Sequence, residues 1–112
     1  MSDYTSFLQL LRDGNYAAAL ARDDFSLHRN NALCRLCYDG DIDAIKFLLA
    51  HGADPAYKVD NPLFRACEAG HTLIVKLLLT YDAVRKNKQG INGRCLEIAR
   101  AETYDDIVEL LE

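Results

Sequence analysis

The sequence is poor in helix breakers: its 112 residues include two prolines and six glycines, which leaves most of the chain free to be helical. It has only four cysteines, Cys34, Cys37, Cys67 and Cys95. Without a secretory signal, these do not suggest a disulfide framework. Apolar runs are short, as in Leu77-Leu78-Leu79, whereas crossing a bilayer takes about 20 such residues. The N-terminal Met1-Ser2-Asp3-Tyr4 has no basic segment leading into an apolar stretch, so no signal peptide is read and an intracellular, cytoplasmic protein is expected. There is no excess of positive charge. The net charge of −4 argues against a nucleic-acid partner, which would be held through its phosphates by a basic face.

What is present is the composition of a soluble globular chain, 50% hydrophobic and 27% charged, with room for one domain of ordinary size. It is also self-similar. Asn31-Ala32-Leu33 and Asn61-Pro62-Leu63 lie 30 residues apart, and at that offset Cys37 meets Cys67, Gly40 meets Gly70, Lys46 meets Lys76 and Leu48 meets Leu78. A third copy follows at offset 33, where Leu63 meets Leu96, Ala66 meets Ala99 and Leu77-Leu78 meets Leu110-Leu111. A weaker fourth opens the chain, with Leu10-Leu11-Arg12-Asp13-Gly14 against Leu36-Cys37-Tyr38-Asp39-Gly40. Tandem self-similarity at such a period marks a stacked repeat array.

Each copy has one grammar. A short stretch (32–38, 62–69, 95–101) has helical spacing and in the first two copies ends near a glycine, Gly40 or Gly70, which supplies the left-handed conformation that ends a helix. A second apolar stretch follows, carrying Ile42, Ile45, Phe47, Leu48 and Leu49 in one copy and Leu73, Ile74, Leu77, Leu78 and Leu79 in the next. Spacings of three and four place each set on one helix face. His51-Gly52-Ala53-Asp54-Pro55 then breaks the helix. At the N-terminus, Phe7, Leu8, Leu10, Leu11, Tyr16 and Leu20 form a shortened cap with a second helix over 17–21.

The run from Asn61-Pro62-Leu63 through Ala66 to Gly70-His71, followed by Ile74-Val75-Lys76-Leu77-Leu78-Leu79, resembles the ankyrin repeat. His51-Gly52-Ala53-Asp54 is similar to that family's hairpin opening. The resemblance covers residues 31–112 well and 4–30 only as a degenerate cap. It implies an all-α solenoid of helix-turn-helix units with short hairpins. The units are a divergent cap (1–30), two repeats (31–60 and 61–92) and a capping repeat (93–112) whose Leu110 and Leu111 pack inward. The family's threonine slot reads Asn31, Asn61 and Arg94 here, and its histidine slot Cys34, Phe64 and Glu97. Both family residues normally bond the loop internally, so looser hairpins are expected. The 30-residue period is shorter than the family's, with the missing residues in the hairpin. Shortened repeats opening on Asp-Asn are similar to arrays common in large DNA viruses and protists; a viral origin would place the protein in host cytoplasm.

Chemistry is sparse. Cys34-x-x-Cys37 is the one metal or redox candidate, but a zinc site needs four converging ligands. Cys37 and Cys67 occupy equivalent positions about 10 Å apart, the scale of helix packing. They read instead as small buried hydrophobes. His71 reads as a loop residue, His51 as a helix-end residue suited to the dipole, and His28 as part of a linker. Asp39-Gly40-Asp41-Ile42-Asp43 lacks the EF-hand spacing and its final glutamate, and Asp41 reads as the start of a second helix. With no phosphate-cradling glycine loop, no catalysis, metal or cofactor is expected.

What the resemblance leaves for function is the concave face formed by hairpins and the outer side of each first helix. Its register places Arg35, Tyr38 and Asp39 there, then Arg65, Glu68 and Ala69, then Ile98, Ala101 and Glu102, with Arg12 and Asp13 extending the row. Tyr57, Lys58 and Val59, then Lys86, Asn87, Lys88 and Gln89, would rim it, and Phe64 would add an apolar element. Tyrosine and arginine dominate interface energetics, and Arg35, Tyr38, Tyr57 and Arg65 are expected to lie close together. The expected partner is another protein, bound by a monomer acting as adaptor or steric inhibitor, with no membrane contact. The alternatives are solvated ion pairs on that face, a thiol-metal or enzymatic protein using Cys34 and Cys37, and a purely structural unit that self-associates.

Overall fold

In the computed structural model, which describes residues 3–58, 61–86 and 91–112 with only the backbone at Ile91 and Asn92, short helices follow one another in pairs. In chain order they are α1 (Asp3–Arg12), α2 (Tyr16–Leu20), α3 (Phe25–Asp39), α4 (Ile42–Ala50), α5 (Pro62–Ala69), α6 (Thr72–Leu78), α7 (Asp82–Arg85), α8 (Ile91–Ala101) and α9 (Asp105–Leu111). Four pairs result, α1–α2, α3–α4, α5–α6 and α8–α9. The first helices of the pairs stack side by side as one layer, α1 on α3 on α5 on α8. The body measures 40 × 23 × 22 Å. It is the all-α solenoid that the resemblance implies, and no strand occurs among the described residues.

One backbone bond closes every pair. The residue after each turn position donates its N–H to a carbonyl five residues back: Asn15 to Leu10 at 2.8 Å, Asp41 to Leu36 at 3.2 Å, His71 to Ala66 at 2.9 Å and Tyr104 to Ala99 at 2.8 Å. This is the closure of a helix by a left-handed residue. Gly40 (φ 91°) and Gly70 (φ 76°) hold that place in the two central pairs. Each is also roofed by the next unit. A Cβ on Gly40 would sit 2.7 Å from the His71 ring, and one on Gly70 2.8 Å from the Tyr104 ring. The same place in the last pair is Thr103, at φ 59°.

Two helices, α4 and α5, begin as their capping residues dictate. The Asp41 carboxylate accepts the Ala44 N–H at 3.2 Å, capping α4. The Asn61 side chain accepts from Phe64 N at 3.1 Å and caps α5, with Pro62 in its first turn. Asn61 thus does a capping job in the slot where the family's threonine is missing.

The core repeats with the sequence. Leu33 and Leu63, Cys37 and Cys67, Ile45 and Val75, and Leu48 and Leu78 are fully buried, and no polar or charged residue is buried among the described ones. Leu110 and Leu111 pack against this core, half-buried. Two apolar residues expected inside are not: Leu73 is 70% exposed and Leu20 43%. Leu73 occupies the position of Asp43 in the preceding pair, one residue before the inward Ile74 and Val75, so the helix turns it out.

His28 and its neighbours are not a linker. α3 starts at Phe25 and runs unbroken through residue 30, where the sequence reading divides cap from repeat. The extra turns are held by tertiary contacts. The His28 ring lies 5.5 Å from Tyr4 and 5.8 Å from Phe7, centre to centre. Asn30 Oδ1 accepts from Asp54 N at 2.7 Å, and Arg29 donates to His51 O at 3.3 Å. The unforeseen α7 falls in the stretch that lengthens the third copy's offset to 33. Of the residues expected to rim the concave face, Lys86 is exposed, whereas Val59, Asn87, Lys88 and Gln89 lie outside the described residues.

Replacing Leu48 or Leu78 with alanine is expected to cost about 2–5 kcal/mol in urea unfolding, whereas Leu73→Ala should stay within about 0.5 kcal/mol. Glycine geometry gives a second contrast. Gly70→Ala meets both a positive φ and the Tyr104 ring, while Gly14 (φ 78°) has open space. Gly70→Ala should therefore cost more than the roughly 1–3 kcal/mol of backbone strain alone, and Gly14→Ala no more than that strain.

Candidate functional site

The layer of first helices presents a groove where α1, α3 and α5 meet. Tyr4, Asn31, Cys34, Arg35, Tyr38, Arg65 and Glu68 line it, and its volume is about 540 Å³. Helical spacing explains the row on α3. Asn31, Cys34, Arg35 and Tyr38 fall three and four residues apart, on one stripe. Arg65 and Glu68 are the matching stripe of α5. Cys34 belongs to the floor and is buried, while Tyr38 is 47% exposed, one of the few large hydrophobic side chains left in water among the described residues.

Of the residues expected on this face, Arg35, Tyr38, Arg65 and Glu68 share the groove. Asp39 sits at its edge as an electrostatic hub, accepting from Arg12 Nη2 at 2.7 Å and from Arg35 Nε at 3.4 Å. Arg65 donates to Glu68 at 2.9 Å within α5. These pairs lie at the surface, the Arg65–Glu68 one partly covered, and each contributes at most about 1 kcal/mol. Tyr57 and Lys58 do not line the groove: Tyr57 is half-buried in the turn, its carbonyl 3.5 Å from Asn61 Nδ2, and Lys58 is exposed. Phe64 is not an open apolar element either. Its ring packs half-buried against the core and lies under two guanidiniums, Arg94 at 5.1 Å and Arg65 at 5.9 Å. Arg94, standing where the family has a threonine, reaches back across the repeat boundary to cover it.

Sequence reasoning missed three groove residues, Asn31 and Cys34 on the expected helix and Tyr4 on another. Tyr4 is set far from the others along the chain and is brought in by packing of α1 on α3, with its hydroxyl donating to Asn31 O at 3.2 Å. Burial raises its phenol above the ordinary pKa, and the positive charges of Arg35 and Arg12 pull the other way.

The histidines are structural. His71 Nε2 lies 2.8 Å from the Tyr38 carbonyl, which can only accept, so this nitrogen carries the hydrogen and ties one repeat to the next. His51 Nδ1 donates likewise to Phe47 O at 2.9 Å at the end of α4. All four cysteines are reduced and buried. Cys67 and Cys95, from adjacent repeats, are hydrogen-bonded to each other. That bond, and then burial, push the Cys67 thiol pKa up, so it stays protonated. A protonated, enclosed thiol is neither nucleophile nor ligand. Among the described residues, no three histidine, cysteine, aspartate or glutamate side chains converge as a metal site.

The ankyrin repeat model (3 copies) matches residues 2–90 and again 33–111, so the chain belongs to the ankyrin repeat family. It is 38% identical over 77 residues, 66% of its length, to the Ankyrin repeat-containing protein YIL001W of Saccharomyces cerevisiae. The match spans 15% of the yeast protein. No solved structure matches the chain. Repeats of this family generally serve protein–protein interaction and are typically non-enzymatic.

Because Tyr38 is a groove residue and not a core one, Tyr38→Ala should leave the unfolding free energy within about 0.5 kcal/mol of wild type. A larger loss in thermal or urea unfolding would show its ring to be structural.

Proposed function

We propose that this chain binds another protein through the face of its first helices, the concave face of the family's arrays, as an adaptor or steric inhibitor inside the cell and without catalysis. The observation that carries this reading is the groove. Arg35, Tyr38 and Arg65 converge on a cavity of about 540 Å³ that the core does not require. A ring and two guanidiniums at one place combine large contact area with hydrogen-bond donors, the chemistry of interface hot spots. Arg12 and Asp39 continue the polar row beside it. The thiol reading is disfavoured by the burial of Cys34 and Cys37, which leaves neither sulfur open to an incoming ligand.

Affinity capture with the wild-type chain and with a Tyr38→Ala, Arg65→Ala variant tests this. A protein held by wild type and lost from the variant, with both chains unfolding at the same temperature, is the expected result. Equal retention would move the site to the second-helix side or the ends of the array.

A further inference from the structure

Resting on the reading that this groove is the protein-binding site, we propose that its occupant is an acidic segment of the partner that places one carboxylate side chain against Arg35, between Tyr4 and Tyr38.

Charge is the first argument. Arg12 and Arg35 share the single carboxylate of Asp39, so two guanidiniums face one negative charge and one positive charge is left over. Arg12 holds the carboxylate at 2.7 Å and Arg35 only at 3.4 Å. Arg35 is thus the looser partner, with 57% of its side chain in water. Its planar fork can turn from Asp39 to an incoming carboxylate and bind it through two parallel N–H donors.

The rest of the lining favours the same occupant. Asn31, the Tyr38 hydroxyl and the guanidiniums offer donors, the Tyr4 hydroxyl being spent on Asn31 O, and the lining is not the aliphatic kind that accepts a leucine-type anchor. Glu68 is the one carboxylate among the lining residues. It stands on α5 paired with Arg65, so its charge is already matched within the lining. A monoanion matches the one surplus positive charge, whereas a dianion such as a phosphate group would overshoot it and feel twice the repulsion from Glu68. A basic segment would have to compete with two arginines for its carboxylate partners. Such a local positive site on a chain of net charge −4 selects by position more than by bulk charge.

Random peptides displayed on phage and selected on the wild-type chain give the test, with the selected peptides then synthesised and their affinities measured by fluorescence anisotropy. The expected result is an aspartate or glutamate at one fixed place in the selected sequences. Binding should fall about tenfold or more in Arg35→Gln, as for loss of a charged hydrogen bond, recover in part in Arg35→Lys, and weaken as salt rises. Remote Arg100→Gln should bind as wild type does. Selected peptides without a fixed acid, or with affinity unchanged in Arg35→Gln, overturn the proposal. If those peptides still lose binding in Tyr38→Ala, the groove remains a protein site and only the acidic occupant is wrong. If they are indifferent to Tyr38→Ala too, the groove itself is not the site. Replacing the fixed acid by phosphoserine should weaken binding; tighter binding would instead identify a phosphorylated partner. A selection that enriches no peptide counts against the proposal as well.

Discussion

A pair of short helices has two apolar flanks and cannot cover either by itself, and everything else in this protein follows from that shortage. Helices of five to eleven residues, as α2 and α8 are, would be marginal alone. They persist because the flank of one pair is the lid of the next. Leu33 and Leu63, or Ile45 and Val75, are sealed by the same positions one repeat on, which is why burial recurs with the sequence period. Even the turns obey the rule. The glycine that ends α3 or α5 must lack a Cβ both for its own φ and because a ring from the following pair rests on it. Closing one unit and docking its neighbour are therefore a single event.

The same economy shapes the binding face. Because side chains on one flank of the first helices are committed to stacking, those on the open side carry less of the packing and can differ with little effect on the core. Arg35, Tyr38, Arg65 and Glu68 are of this kind. Their ion pairs contribute little to stability, but they set the rotamers in which the arginines are presented. A donor-rich surface held on a rigid row of helices loses less entropy on engaging a partner than a loop would.

The repeat, the helix pairing and most of the core were legible in the sequence, because apolar spacing and turn glycines report directly on burial. Four residues of the groove were legible for the same reason, since once the inward stripe of α3 and α5 is known the outward stripe is determined. The failures have physical causes. Leu73 sits in an unbroken apolar run, where spacing alone cannot separate the inward face from the outward one; its counterpart Asp43 held the answer. His28 lies among Ser26, Arg29, Asn30 and Asn31, a polar stretch with no periodicity of its own. Its helix is imposed from outside by Tyr4, Phe7 and the Asp54 backbone. Tyr4 entered the groove, and Phe64 left the open surface, through contacts between residues far apart in sequence, with Arg94 reaching over a repeat boundary. Substitution of the family's threonine and histidine gave no warning of these rearrangements.

The unbroken α3 gives the array one place that cannot absorb a change of length. Further along the chain the repeat offset itself changes, from 30 to 33, so residues can be gained or lost there while the helix pairs recur. Between the cap and the first repeat the joint is itself a helix, and each residue inserted there would rotate everything beyond it by about 100°. One insertion near Asn30 would swing His28 and Phe25 away from Phe7, or else carry Arg35 and Tyr38 off the open side. The spacing between the cap and this repeat is therefore phased like a screw thread, and natural variation in length should collect in the turns and avoid residues 25–31.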